Sequence, residues 1–176
     1  NIDNTQIPVN DALVIIPAYN EELKIKKTIQ AVLKYFDNIL LIDDGSSDNT
    51  NKYIKEFNVP ILEHFINLGQ GAALETGFRY FLNKDKYKYV ITFDADGQHD
   101  PLDAIKMLIF AKETKSDAIF GSRFLNKNNL KNIPFLKKLT LRLGIIYENF
   151  FYKTSFTDAH NGLRVFSKSI VKNDIL

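Results

Sequence analysis

"ITFDADGQHDP", residues 91–101, carries the signature of the whole architecture in one short stretch. The apolar run from Tyr89 to Phe93 reads as a buried strand, and it ends on two carboxylates, Asp94 and Asp96, separated by one alanine. A helix start follows: Asp100 can cap it, Pro101 suits its first turn, and Asp103 complements the positive end of the helix dipole. Leu102, Ile105, Leu108 and Ile109 then recur at helical spacing. A buried strand that passes through a polar loop into an amphipathic helix is the repeating unit of a mostly parallel sheet flanked by helices.

The same alternation runs through the rest of the chain. Leu13 to Ile16 reads as a strand, and Ile25, Ile29, Val32 and Phe36 mark one face of a helix that begins after Glu21. Ile39 to Ile42 is a second strand, Asp48 to Phe57 a short helix, and Pro60 to Phe65 a third strand. "GQGAALETGFRYFL" (69–82) supplies a helix with Leu74, Phe78 and Phe81 inward, and Ala118 to Gly121 a further strand. No repeat, linker or low-complexity segment interrupts the pattern, so residues 1–176 read as a single α/β domain. In a parallel sheet the loops "PAYNEE" (17–22), "DDGSSDNT" (43–50) and "DADGQHD" (94–100) all leave carboxyl ends of strands. They are therefore expected to converge on one crevice where the strand order reverses.

Composition removes several function classes. With no cysteine, thiolate catalysis, thiolate zinc sites and a disulfide scaffold are excluded. A net charge of +2 lacks the basic surplus of a dedicated nucleic-acid binder. No apolar run is long enough to span a bilayer. The chain opens "NIDNTQIPVND", without an initiator methionine or a signal-peptide pattern, and stops at Leu176 in what reads as mid-helix. It is expected to be a fragment truncated at its C-terminus, so the missing span says little about the full protein.

The acidic pair carries the chemistry. Asp94 and Asp96 repel one another if both are ionised, and a bound cation is the plain way to keep both charged. Oxygen ligands suit Mg2+ or Mn2+, which retain positions for water and substrate phosphate. Capping the following helix is the simpler alternative, but it accounts for Asp100 and leaves Asp94 and Asp96 without a task. An EF-hand loop matches poorly, because Gly97 falls at the fourth position and not the sixth. Asp43 and Asp44 end another strand; an aspartate here can accept hydrogen bonds from a base or a ribose hydroxyl, or can serve only as a turn and cap. "NLGQGAALETG" (67–77) places a glycine loop before a helix but matches neither the Walker nor the dinucleotide pattern.

Taken in order, "VIIPAYNEE", "LLIDDGSSDNT", "NLGQGAALETGF", "VITFDADGQHDP", "AIFGSRF" and "TDAHNGLRVFSK" closely resemble the family-2 inverting glycosyltransferases of the GT-A fold, from about Ala12 to Lys168. The nearest likeness is to the polyprenyl-phosphate transferases, the dolichyl-phosphate mannose synthase-like branch, whose metal motif also reads Asp-Ala-Asp-x-Gln-His. The resemblance implies a Rossmann-like, mostly parallel sheet. It implies that Pro17, Tyr19, Glu21 and Asp44 hold the nucleotide of a sugar donor, and that Asp94, Asp96 and Gln98 form a site for Mg2+ or Mn2+. Arg123 and Arg164 fall where the branch places cations near phosphate. "DAHNGLR" (158–164) departs from the lipid-specific members, which more often carry Ser or Thr before Gly-Phe-Arg; His160 and Asn161 leave the acceptor class open.

The implied reaction is displacement of a nucleoside diphosphate by an acceptor oxygen attacking the opposite face of the sugar, through an oxocarbenium-like transition state. A saccharide hydroxyl acceptor would need a base, for which Asp158 is the candidate, whereas a lipid phosphate is already ionised and needs cations such as Arg123 and Arg164. Asp158 can equally be a turn cap. Leu136, Leu139, Leu143, Ile146 and Phe150 form a helical stripe beside Lys137, Lys138 and Arg142. That pattern suits either packing within the domain or peripheral contact with the cytoplasmic face of a membrane through residues 134–156. Two other classes match less well: a haloacid-dehalogenase-type phosphatase, whose Asp-x-Asp motif continues differently, and a sugar-nucleotide binding module without turnover.

Overall fold

The computed structural model describes residues 9–122 and 162–175. By its contacts the chain divides into two compact units, residues 1–119 with 163–176 and residues 120–162. The first contains every described residue of the site.

Six strands form one sheet: β1 (Ala12–Ala18), β2 (Ile39–Asp43), β3 (Ile61–Glu63), β4 (Tyr89–Thr92), β5 (Ala118–Phe120) and β6 (Arg164–Ser167). Their order is β3-β2-β1-β4-β6-β5. β1, β2, β3 and β4 run parallel, as the apolar runs imply, and β6 lies antiparallel to β4. β6 has no counterpart among the strands expected from pattern. Its four residues, Arg-Val-Phe-Ser, hold one pair of apolar side chains between polar ends, and pairing with β4 on one side and β5 on the other defines them. Among the described residues the helices are α1 (Ile25–Leu33), α2 (Thr50–Ile54), α3 (Gln70–Leu82), α4 (Pro101–Thr114) and the short α5 (Lys168–Ile170), which continues into a π-helical turn, Val171–Ile175.

Alternation along each strand separates two apolar layers, because successive side chains point to opposite faces. Ala12, Val14 and Ile16 of β1, with Leu41 and Ile91, meet Ile25, Ile29 and Val32 of α1 and Ala104, Ile105 and Leu108 of α4. Leu13, Ile15, Leu40, Ile42 and Val90 meet Ala73, Phe78 and Phe81 of α3 on the other face. Burial on both faces is why these strands read as continuous apolar runs. α3 approaches the sheet closely at Gly77, where a Cβ would stand 2.7 Å from Ile15 Cγ2 and 2.9 Å from Ile42 Cδ1.

Two helix faces differ in detail from expectation. Leu102 is 41% exposed, while α4 rests on the sheet through Ala104, Ile105, Leu108 and Ala111. A stripe built partly of alanines is invisible when only large apolar residues are followed. Leu74 and Ile109 are partly buried and pack at the edges of their layers.

α4 starts as its sequence prescribes: the Asp100 carboxylate accepts a hydrogen bond from Leu102 N at 2.9 Å, with Pro101 at the first helical position. Asp100→Ala is expected to lower the unfolding free energy by about 1 kcal/mol, read from urea titration.

The strand order reverses at β1, which has β2 on one side and β4 on the other. Regular pairing of β1 with β4 ends at Ile15↔Thr92, whereas pairing with β2 continues to Ala18↔Asp43. The end of β1 therefore projects past β4, and Pro17, which lacks an N–H, sits where β1 has a strand neighbour on one side only.

Candidate functional site

At this reversal opens a cleft of about 370 Å³, lined by Pro17, Ala18, Tyr19 and Glu21 after β1, Asp44 after β2, Asn67, Gly69, Gln70 and Ala73 before and on α3, and Asp94, Ala95 and Asp96 after β4. The loops expected to converge do so. Asp44 and Asp96, from different strand ends, face the same cavity.

The first two loops interlock. Glu21 N donates to Thr50 Oγ1 at 2.7 Å, Glu22 N to Asp48 Oδ2 at 3.1 Å, and Asn20 N to Ser46 Oγ at 3.0 Å. In return Ser47 N donates to Asn20 Oδ1 at 2.8 Å and Asn49 N to Glu22 Oε2 at 3.0 Å. The polar residues of "NEE" and "SSDNT" thus satisfy each other's backbone across the end of the sheet.

The two aspartates that end β2 have different surroundings. Asp43 accepts from Ser46 N and from Asn51 Nδ2, the turn-capping role. Asp44 is 2% exposed and binds the loop before α3. Its Oδ1 accepts from Leu68 N at 3.0 Å and contacts His64 Nδ1 at 2.6 Å, and its Oδ2 accepts from Gly69 N at 2.8 Å. The "NLGQG" loop therefore lines the cleft, but the amides of Leu68 and Gly69 are engaged by a carboxylate of the protein itself.

Asp94 accepts from Gln70 Nε2 at 3.0 Å through Oδ1, while its Oδ2 contacts His99 Nε2 at 3.0 Å. His99 stands edge-on to Phe93, with ring centroids 5.6 Å apart. Asp96 Oδ1 accepts from Gln98 N at 3.0 Å, closing the turn after the strand. Behind them Thr28 of α1, nearly fully buried, donates to Ala95 O at 2.9 Å and ties the acidic turn to the helix layer. Burial raises the Glu21 carboxyl above the ordinary carboxylate value, and the charges of Asp96, Asp48 and Asp94 add to this against the opposing pull of Lys24.

Such an acidic wall fits a divalent cation. Among the described residues no three His, Asp or Glu side chains stand close enough to enclose an ion alone. Two carboxylates with open positions are nonetheless the donor set that Mg2+ or Mn2+ uses when phosphate completes the shell.

Of the residues singled out from sequence, Pro17, Tyr19, Glu21, Asp44, Asp94 and Asp96 line the cleft together. Gln98 contributes its backbone N–H to the turn, and its side chain is exposed. Arg164 opens β6 opposite Thr92, at the same end of the sheet as Asp94. Arg123, Asp158, His160 and Asn161, and the stripe within 134–156, lie outside the described residues. Sequence reasoning passed over Asn67, Gln70, His64, His99 and Thr28. His99 inside the acidic motif, and Asn67 and Gln70 inside the glycine loop, carried a local signal; His64 and Thr28 carried none.

Residues 13–174 match the sequence model described as Glycosyl transferase family 2. The UDP-N-acetylglucosamine–dolichyl-phosphate N-acetylglucosaminyltransferase of Methanococcus voltae is 37% identical over 180 residues, covering 90% of this chain and 70% of its own. The polyprenol monophosphomannose synthase of Mycolicibacterium smegmatis is 27% identical over 173 residues, covering 94% of this chain and 64% of its own. Among solved structures, glucosyl-3-phosphoglycerate synthase of Mycobacterium tuberculosis, in complex with Mn2+, UDP-glucose and phosphoglyceric acid, superposes with a TM-score of 0.62 at 17% identity over 92% of this chain. The chain spans 57% of that protein's length, and the likeness speaks to the fold alone.

Proposed function

Because the chain belongs to glycosyl transferase family 2, we propose that its cleft binds a nucleotide-diphosphate sugar beside Mg2+ or Mn2+ and passes the sugar, with inversion, to a polyprenyl-phosphate acceptor. The observation that carries this reading is the meeting of Asp44 with Asp94 and Asp96 in one cleft at the reversal of strand order. A cavity of about 370 Å³ is within the range of small-molecule sites.

Pro17, Tyr19, Glu21 and Asp44 hold the nucleotide end, and Asp94 and Asp96, with Gln98 beside them, hold the cation. When bound, the ion supplies Lewis-acid stabilisation of the charge that builds on the departing diphosphate. The chain's own contribution is positioning. Gln70 and His99 hold the Asp94 carboxylate from two sides, and Thr28 anchors the carbonyl between the two aspartates. The acceptor oxygen attacks the anomeric carbon from the face opposite the leaving group. A phosphate acceptor arrives ionised, so Asp158 is not required as a base; Arg164, at the same sheet end, and Arg123 offer paired hydrogen bonds to phosphate oxygens. The names of the archaeal and mycobacterial relatives support a lipid-phosphate acceptor. No described helix is long and apolar enough to cross a membrane, and contact with a membrane face would fall to residues 134–156.

A thermal-shift panel tests the reading, with UDP-N-acetylglucosamine, UDP-glucose and GDP-mannose each added with and without Mn2+. One nucleotide is expected to raise the melting temperature only when the metal is present; saturation at a hundredfold over Kd corresponds to about 2.7 kcal/mol. A panel in which no sugar nucleotide gives a metal-dependent rise would overturn it.

A further inference from the structure

His64 belongs to no motif that points to the site, yet it is the hub of a hydrogen-bond chain under the cleft. Its side chain is 11% exposed and that of Asp44 3%. Nδ1 stands 2.6 Å from Asp44 Oδ1 and Nε2 stands 2.9 Å from Thr76 Oγ1 on α3. Against an ionised carboxylate Nδ1 is the donor, and in the neutral ring Nε2 then accepts from the threonine hydroxyl. The backbone of His64 is fixed as well, its N–H donating to Asp43 O at 2.8 Å.

Counting acceptor sites gives this chain a purpose. Each carboxylate oxygen has about two. Among the described residues, Oδ1 of Asp44 is filled by His64 and Leu68 N, whereas Oδ2 accepts only from Gly69 N. One acceptor site therefore remains, on Oδ2 of a residue that lines the cleft. Resting on the donor-binding reading above, we infer that His64 is a positioning residue: held by Thr76, it locks the Asp44 carboxylate so that Oδ2 alone offers an acceptor to an N–H or hydroxyl of the nucleotide. Without it the carboxylate keeps the amides of Leu68 and Gly69 but is held from the loop side only, and Oδ1 regains an acceptor site that competes with Oδ2. Gln70, the next residue of the same loop, reaches Asp94 at 3.0 Å, so a displaced loop would disturb both acidic clusters.

The test is titration of UDP-N-acetylglucosamine with Mn2+ into wild type, His64→Ala, His64→Asn, His64→Gln and Thr76→Val, with a melting curve for each. His64→Ala is expected to weaken binding roughly 10- to 100-fold, the range for loss of a hydrogen bond to a charged group. His64→Asn should restore most of it, because its amide nitrogen takes the place of Nδ1, and His64→Gln, which mimics Nε2, should not. Thr76→Val should fall between wild type and alanine. A purely structural role would lower melting temperatures without this ordering of affinities. Should His64→Ala fail to fold, the Asn, Gln and Thr76→Val series carries the test alone. Wild type that binds the donor while every variant binds equally overturns this inference and leaves the proposed function standing; wild type that binds none of UDP-N-acetylglucosamine, UDP-glucose and GDP-mannose with Mn2+ overturns both.

Discussion

Asp96→Asn is expected to abolish transfer, by at least about 100-fold, while leaving the fold intact. Asparagine keeps an oxygen where Asp96 Oδ1 accepts from Gln98 N at 3.0 Å, so the turn after β4 persists and only the charge is removed. Asp96 is also one of the carboxylates that push the Glu21 carboxyl up. Removing its charge relieves repulsion in the empty cleft, so the variant should melt with the wild type, or slightly above it, in the presence of a chelator. Adding Mn2+ and the sugar nucleotide should reverse that order, because the wild type gains stabilisation that the variant cannot. The crossing of the two melting curves is the informative result. A variant that shows the same metal-dependent rise as wild type removes Asp96 from the cation site.

Gly45→Ala is expected to be the most damaging single methyl addition in the site. Gly45 has φ +70°, a region that costs other residues about 1–2 kcal/mol. Its added Cβ would stand 2.4 Å from the Ile66 carbonyl carbon and 2.7 Å from Asn67 N, both backbone atoms. The opposing loop cannot simply withdraw, since Leu68 N and Gly69 N are held by Asp44. A loss of about 3 kcal/mol follows, which for a chain of this size lowers the melting temperature by roughly 6–12 °C. Donor affinity should fall in parallel, because the residue displaced, Asn67, lines the cleft. Melting at the wild-type temperature would mean that the loop yields at little cost and that its tether to Asp44 is weaker than its geometry indicates.

Most of the fold was legible because its strands are buried on both faces. Runs such as Leu13–Ile16 and Ile39–Ile42 are uninterrupted by polar residues, and no other soluble element of that length requires this. The start of α4 was readable to the residue, since Asp100 and Pro101 act through their own local geometry. β6 was not readable. Only Val165 and Phe166 are apolar in it, between Arg164 and Ser167, and it exists because β4 and β5 give it partners on both sides. The α4 face was misread at Leu102 because helix seating on a sheet favours a stripe of small residues where backbones approach closely, here Ala104 and Ala111.

The candidate site divides along the same line. Sequence alone determined that three acidic or polar loops leave the carboxyl ends of parallel strands, and hence that Asp44, Asp94 and Asp96 occupy one edge of the sheet; strands joined by helical crossovers run parallel, and that alternation is written along the chain. Only the tertiary structure decided how each carboxylate is held: that Asp43 turns to its own loop, that Asp44 is gripped by His64, Leu68 and Gly69, and that Gln70 and His99 flank Asp94. The bonds from His64, Leu68, Gly69 and Gln70 join residues twenty or more positions apart and leave no periodic trace, because they depend on where packing brings α3 against the sheet.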